Sequence, residues 1–151
     1  MKTSDVALLD VSVLIALLDD GHMHHDAAHR WFAERPHPEW ASCPITENGV
    51  VRILSSVSRV DDPFSVPTLV GVLDSLRERG HHRFWADDVS LCDRDRFDVE
   101  AIRGHQQITD VYLLALAVKN GGRMVTFDQR VPLAAVKGAT RASLEVIAAA
   151  E

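Results

Sequence analysis

Asp10 is the residue that most constrains what this chain can fold into. It lies inside the apolar run from Val6 to Leu18, which is otherwise interrupted by Ser12 and is closed by Asp19-Asp20-Gly21. A carboxylate within a hydrophobic segment is costly to bury unless it is paired or binds a metal. Val6 to Leu9 is short and continuously apolar, as expected of a strand covered on both faces. Ser12 to Leu18 reads as a helix. Asp10 therefore falls where a buried strand ends and a helix begins, at the mouth of a possible site.

The rest of the chain repeats that alternation. Helices are predicted over His24 to Arg35, from Pro44 to about Val57, over Ser65 to Arg79, Asp93 to Arg103 and Asp110 to Asn120. Strands are predicted over Glu39 to Cys43, His82 to Ala86, Arg123 to Phe127 and Leu144 to Ala148. Pro36 and Pro38 end the second helix, Asp61-Asp62-Pro63 reads as a loop, and Gly80 and Gly121-Gly122 are natural helix stops. Strands alternating with helices imply an α/β fold with a parallel central sheet. No repeat or long linker divides the 151 residues, so the expectation is a single domain over 1–151.

The net charge of −6 argues against holding nucleic acid through overall basicity. It does not exclude a nuclease, whose metal-gathering carboxylates lower the formal charge. Cys43 and Cys92 are far apart, with no zinc spacing and no disulfide framework. They read as buried free thiols in a reducing cytosol. Asp10 breaks the N-terminal apolar run, and neither a signal peptide nor a membrane span is expected. A cytoplasmic location is the default.

Asp128 follows Met124-Val125-Thr126-Phe127 just as Asp10 follows its own strand. In open α/β sheets, ligands bind beyond the carboxyl ends of the strands. The competing reading for each Asp is a helix N-cap. Glu47 shares a helix face with Val50, Val51 and Leu54, so its carboxylate points inward. A capping box would need Ser or Thr where Pro44 stands. Asp110 opens the helix whose Leu113, Leu114 and Ala117 lie on its own face, with Asp110 or Thr109 available as cap. Four converging carboxylates would repel one another. A divalent cation removes that repulsion, and an oxygen-only donor set suits Mg²⁺ or Mn²⁺ better than Zn²⁺. The chemistry that fits is metal-assisted phosphodiester cleavage.

The four segments also carry a resemblance. Leu8-Leu9-Asp10-Val11-Ser12-Val13-Leu14-Ile15-Ala16-Leu17 is similar to the opening motif of PIN-domain nucleases, and more narrowly of the VapC toxins of bacterial toxin–antitoxin pairs. Thr46-Glu47-Asn48-Gly49-Val50-Val51-Arg52 resembles their second acidic motif, Ile108-Thr109-Asp110-Val111-Tyr112-Leu113-Leu114-Ala115-Leu116-Ala117 the third, and Thr126-Phe127-Asp128 the fourth. The resemblance implies a three-layer α/β/α sandwich with a mainly parallel sheet. It implies a Mg²⁺- or Mn²⁺-dependent endoribonuclease that homodimerises and is neutralised by a cognate antitoxin. Asp10, Glu47, Asp110 and Asp128 take the family's acidic positions as catalytic and metal-holding residues. Ser12, Thr109 and Thr126 stand beside them as supporting hydrogen-bonding groups. Ser12 departs from the pattern, where Asn is more usual. A hydroxyl can still donate to a carboxylate.

Other signals carry less. His25 and His29 have the i, i+4 spacing of a zincin helix, but no third ligand is evident and Asp26 stands where that helix needs Glu. His81-His82 reads as exposed. Trp31, Trp40 and Trp85 read as core or interface residues. If RNA is the substrate, a subset of the scattered arginines must meet phosphates around the acidic centre. A compact acidic pocket also attracts cationic groups, so an inhibitor could place Arg or Lys among the acids. The alternative reading is a catalytically inactive PIN-like module that binds RNA or protein. A phosphatase would want a second Asp in place of Ser12, and a phospho-receiver a Lys at a late strand end.

Overall fold

A computed structural model describes residues 6–34, 38–56 and 64–148. Arg35, Pro36, Val57 and the Asp61-Asp62-Pro63 loop lie outside the described residues. The chain runs β1 (Ala7–Leu9), α1 (Val11–Leu18), α2 (His25–Ala33), β2 (Glu39–Ser42), α3 (Pro44–Ser56), α4 (Val66–Arg77), β3 (His81–Phe84), α5 (Ile108–Lys119), β4 (Arg123–Thr126) and β5 (Leu144–Val146). Each helix and strand expected from the sequence is present except one.

The exception is the polar segment Asp93 to Arg103, expected as a helix. It forms turns and a single 3₁₀ turn at Val99–Ala101. Local hydrogen bonding explains the difference. Asp93 accepts the Asp95 amide through its side chain (3.0 Å). The Asp98 amide goes instead to the Ala135 carbonyl (2.9 Å), beside an isolated bridge between Phe97 and Val136. Asp side chains offer the backbone an alternative to the helix, and Phe97, buried at 2% exposure, supplies the apolar anchor that an exposed helix would not need.

The five strands form one sheet in the order β3-β2-β1-β4-β5, every pairing parallel. Parallel strands need both faces covered. On one face Ala7, Leu9, Trp40 and Val125 pack with α1, α2, α3 and α4. On the other, Leu8, Ala41 and Met124 pack with α5, whose residues from Val111 to Ala117 are all buried. The layers are thus helix, sheet, helix. Gly122 lets the chain enter β4 tightly, since a Cβ there would lie 2.5 Å from the Val6 carbonyl oxygen.

The strand order places the site. The chain leaves central β1 toward β2 and β3, then returns to β4 on the other side. The reversal opens a crevice at the carboxyl ends of β1 and β4, where open α/β sheets bind ligands. Asp10 follows β1 there and Asp128 follows β4. Two expectations are corrected. Cys43 is buried but Cys92 is exposed, because the segment that was to bury it is a surface turn. His82 is half-buried rather than exposed, because its β3 register sets it opposite Trp40. Trp40 is fully buried, while Trp31 and Trp85 pack against the two core faces. Among the described residues, no helix is long and apolar enough to cross a membrane.

Candidate active site

Asp10 is both strand end and helix cap. Its amide extends the sheet to the Val125 carbonyl (3.0 Å), and its Oδ1 accepts the Val13 amide (2.9 Å) at the start of α1. Ser12 donates to the same oxygen (2.6 Å), and the Thr126 hydroxyl donates to Oδ2. The residue is only 4% exposed. Burial pushes its carboxyl above the ordinary range, and the bonds from Ser12, Thr126 and the Val13 amide oppose that rise without cancelling it. A carboxylate has about four acceptor positions. The Ser12 and Thr126 hydroxyls and the Val13 and Ser12 amides all bond to it.

Thr126 couples two acids. Its hydroxyl donates to Asp10 and accepts the Asp128 amide (3.0 Å). Asp128 Oδ1 in turn accepts the Arg130 amide (2.8 Å) and Arg130 Nε (3.3 Å). Asp110 comes from the opposite layer, on the first turn of α5. Neither it nor Thr109 caps that helix, since Gln107 holds the cap position and no side-chain cap bond forms. Burial raises the Asp110 carboxyl to about 6, and the charges of Asp10 and then Asp128 add to the rise. Asp10, Asp110 and Asp128 are thus brought within electrostatic reach of one another. Thr109 is exposed, with no side-chain hydrogen bond to these acids.

Glu47 does not join them in these side-chain positions. It points inward from α3, but into the layer shared with α4. Its Oε2 accepts the Ser42 hydroxyl (2.5 Å) and its Oε1 faces Arg77 Nη1 (3.4 Å). Ser42 Oγ also lies 2.7 Å from His82 Nε2. With the Ser42 hydroxyl donating to Glu47, a protonated His82 Nε2 is the donor in that second bond. Burial and then the Arg77 charge lower the His82 pKa, against a raising effect from Glu47. Glu47 opens onto a groove of about 630 Å³ between α3 and α4, shared with Arg52, Val66, Val70 and Phe84. Asp128 opens onto a separate cavity of about 470 Å³, lined by Ser12, Phe127, Asp128, Gln129 and Arg130. The larger cavity is the more apolar, but it is the smaller one that a member of the acidic cluster, Asp128, lines.

Ser42, Arg77, His82 and Arg130 were not expected as site residues. Only Arg130 had a local signal, two positions after Asp128. The histidines of α2 serve another purpose. His25 Nδ1 and His29 Nε2 lie 2.7 Å and 3.1 Å from the Ala16 and Leu17 carbonyls, so their i, i+4 spacing ties α2 to the carboxyl end of α1.

The donor set of the cluster fits a hard divalent cation. It is all oxygen, and it gathers like charges that add to the burial raising Asp110. As the side chains stand, no three His, Cys, Asp or Glu among the described residues are close enough to hold one ion together, so the carboxylates must turn inward to do so.

The PIN domain family model matches residues 7–138. Ribonuclease VapC44 of Mycobacterium tuberculosis is 44% identical over 141 residues, covering 93% of this chain and 99% of that protein. Ribonuclease VapC38 of the same organism is 44% identical over 126 residues, covering 83% and 87%. The crystal structure of Mycobacterium tuberculosis VapC20, described as a Sarcin-Ricin loop cleaving toxin, superposes with a TM-score of 0.58 at 18% identity, covering 83% of this chain and 92% of that one. The last likeness supports the fold. With the family model spanning most of the chain and two curated relatives matched over most of their length, the chain belongs to the PIN-domain family and, within it, to the VapC ribonucleases.

Proposed function

We propose that this protein is a metal-dependent endoribonuclease of the VapC toxin type, which cleaves RNA phosphodiester bonds and is neutralised by a cognate antitoxin. The observation that carries the reading is the convergence of three acids at the β1–β4 crevice, where Thr126 bonds to both Asp10 and Asp128 and Asp110 reaches the same place from α5, its carboxyl raised by burial and by those two charges. Such a cluster is expensive without a cation to hold. The extensive identity to named ribonucleases supplies the substrate class.

In this reading Asp10, Asp110 and Asp128 hold Mg²⁺ or Mn²⁺, and Glu47 is the family's fourth acid. A bound divalent cation supplies water activation and stabilises charge on the phosphodiester oxygens. The chain's own groups prepare the place. Ser12, Thr126 and the Val13 amide hold the Asp10 carboxylate in orientation and oppose the rise that burial imposes on it. Thr126 fixes the separation of the β1 and β4 acids by bonding to both residues. Glu47 acts only after exchanging its Ser42 and Arg77 contacts for the cluster. A homodimer in the cytoplasm is the assembly that the family suggests.

The test is RNA cleavage by purified protein in Mg²⁺ or Mn²⁺, against chelator, with Asp10→Ala and Asp110→Ala. Metal-dependent cleavage lost in both variants supports the reading. Equal cleavage in both sinks it. Glu47 held away from the other acids favours one alternative, a module that binds without cutting, and RNA binding with no cleavage in either metal would establish that instead.

A further inference from the structure

An acidic centre must accept a polyanion, so something beside it has to offset the repulsion. The ion-paired cations are mostly committed elsewhere: Arg77 to Glu47, Arg83 to Glu39, Arg96 to Asp93, Lys119 to Asp88 and Arg123 to Glu145. Among the described residues, Arg130 is the cation bonded to a member of the Asp10, Asp110 and Asp128 cluster. Its backbone amide and Nε share Asp128 Oδ1, which fixes the root of the side chain. Its terminal nitrogens bond to no described residue. The side chain is 88% exposed, so its pair with Asp128 is solvent-screened and the outer edge of the guanidinium faces solvent. Arg130, Gln129, Phe127, Ser12 and Asp128 line the same cavity of about 470 Å³. A planar guanidinium anchored through Nε presents its other edge as a fork matched to two phosphate oxygens.

We infer that Arg130 is an RNA-phosphate-binding residue, and that the cavity it lines seats the phosphate next to the one at the acidic centre. This rests on the ribonuclease reading. Asp128 and Arg130 then divide the work, the carboxylate facing the cation and the guanidinium the neighbouring phosphate. Phe127 supplies the apolar wall for the intervening ribose.

The experiment is fluorescence anisotropy with a fluorescein-labelled single-stranded RNA of fixed sequence, in chelator to prevent cleavage, between about 50 and 200 mM salt. Arg130→Ala should weaken binding several-fold and reduce the log–log salt slope by about 0.7, the value for one phosphate contact on a single strand. Arg130→Lys should restore the slope, with lower affinity than wild type. The Arg130→Ala effect should persist in an Asp128→Asn background, which separates phosphate contact from shielding of the Asp128 charge. Arg141→Ala, an exposed control at the amino end of β5 and so at the opposite end of the strands from the crevice, should leave the slope unchanged. In cleavage assays Arg130→Ala should raise KM with kcat held, and its melting temperature should match wild type. If wild type binds and cleaves while Arg130→Ala keeps the same affinity, slope and KM, or if Arg141→Ala lowers the slope equally, the assignment is overturned and the ribonuclease reading stands. If wild type neither binds nor cleaves RNA, both fall.

Discussion

Replacing Asp110 with Asn should make the metal-free protein more stable at neutral pH while removing its response to metal. Folded Asp110 keeps its proton to about 6, against an ordinary value of 3.8. Between those values the folded state binds more protons than the unfolded state, so stability falls as pH rises. The contribution is fully present below 3.8 and gone above about 6. For a wholly buried group that difference corresponds to roughly 3 kcal/mol. Asp110 is only half-buried, and solvent screening reduces the figure to on the order of 1 kcal/mol. In a domain of this size that is about 2–4 °C in Tm. Thermal melts in chelator from about pH 4 to pH 7 should therefore show wild type losing that much relative to Asp110→Asn. Saturating Mn²⁺ at pH 7 should raise wild-type Tm and leave the variant little changed. Parallel pH profiles for the two proteins in chelator would refute the reasoning, because the cluster would then exert no repulsion on Asp110.

Ser12→Ala removes a charge-assisted bond to Asp10 and should push that carboxyl higher, lowering Mn²⁺ affinity roughly tenfold in calorimetric titration at pH 7. Gly122→Ala should cost about 3 kcal/mol in urea unfolding, since the added Cβ meets the Val6 carbonyl oxygen at 2.5 Å and backbone cannot step aside cheaply. In native protein iodoacetamide should label exposed Cys92 and spare Cys43, which is buried and has its thiol pushed up to about 11 by that burial. Mass spectrometry of the alkylated chain distinguishes them.

Three of the acids were legible because each breaks a local pattern. Asp10 and Asp128 end apolar strands, and Asp110 sits on the face of an apolar helix. What placed them together is the strand order, a long-range property that no local stretch encodes. Glu47 shows the limit clearly. Its inward orientation follows from its offset to Val50 and Leu54. Its partners come from β2, β3 and α4, joined by the register that sets Trp40 beside His82 and Ser42 beside Phe84. Periodicity cannot report that inward means toward Arg77. Ser12 was expected to serve Asp10 and bonds to it. Thr109 was expected in a similar role, but the first turn of α5 leaves it exposed. The Asp93 to Arg103 segment failed for a local reason, as its Asp side chains and the Phe97 bridge outcompete a helix.

The most direct test of the central claim is an anomalous difference map from crystals soaked in Mn²⁺. A manganese peak among the Asp10, Asp110 and Asp128 carboxylates is the expected result. A peak confined to the α3–α4 groove beside Glu47, with none at the β1–β4 crevice, would contradict it.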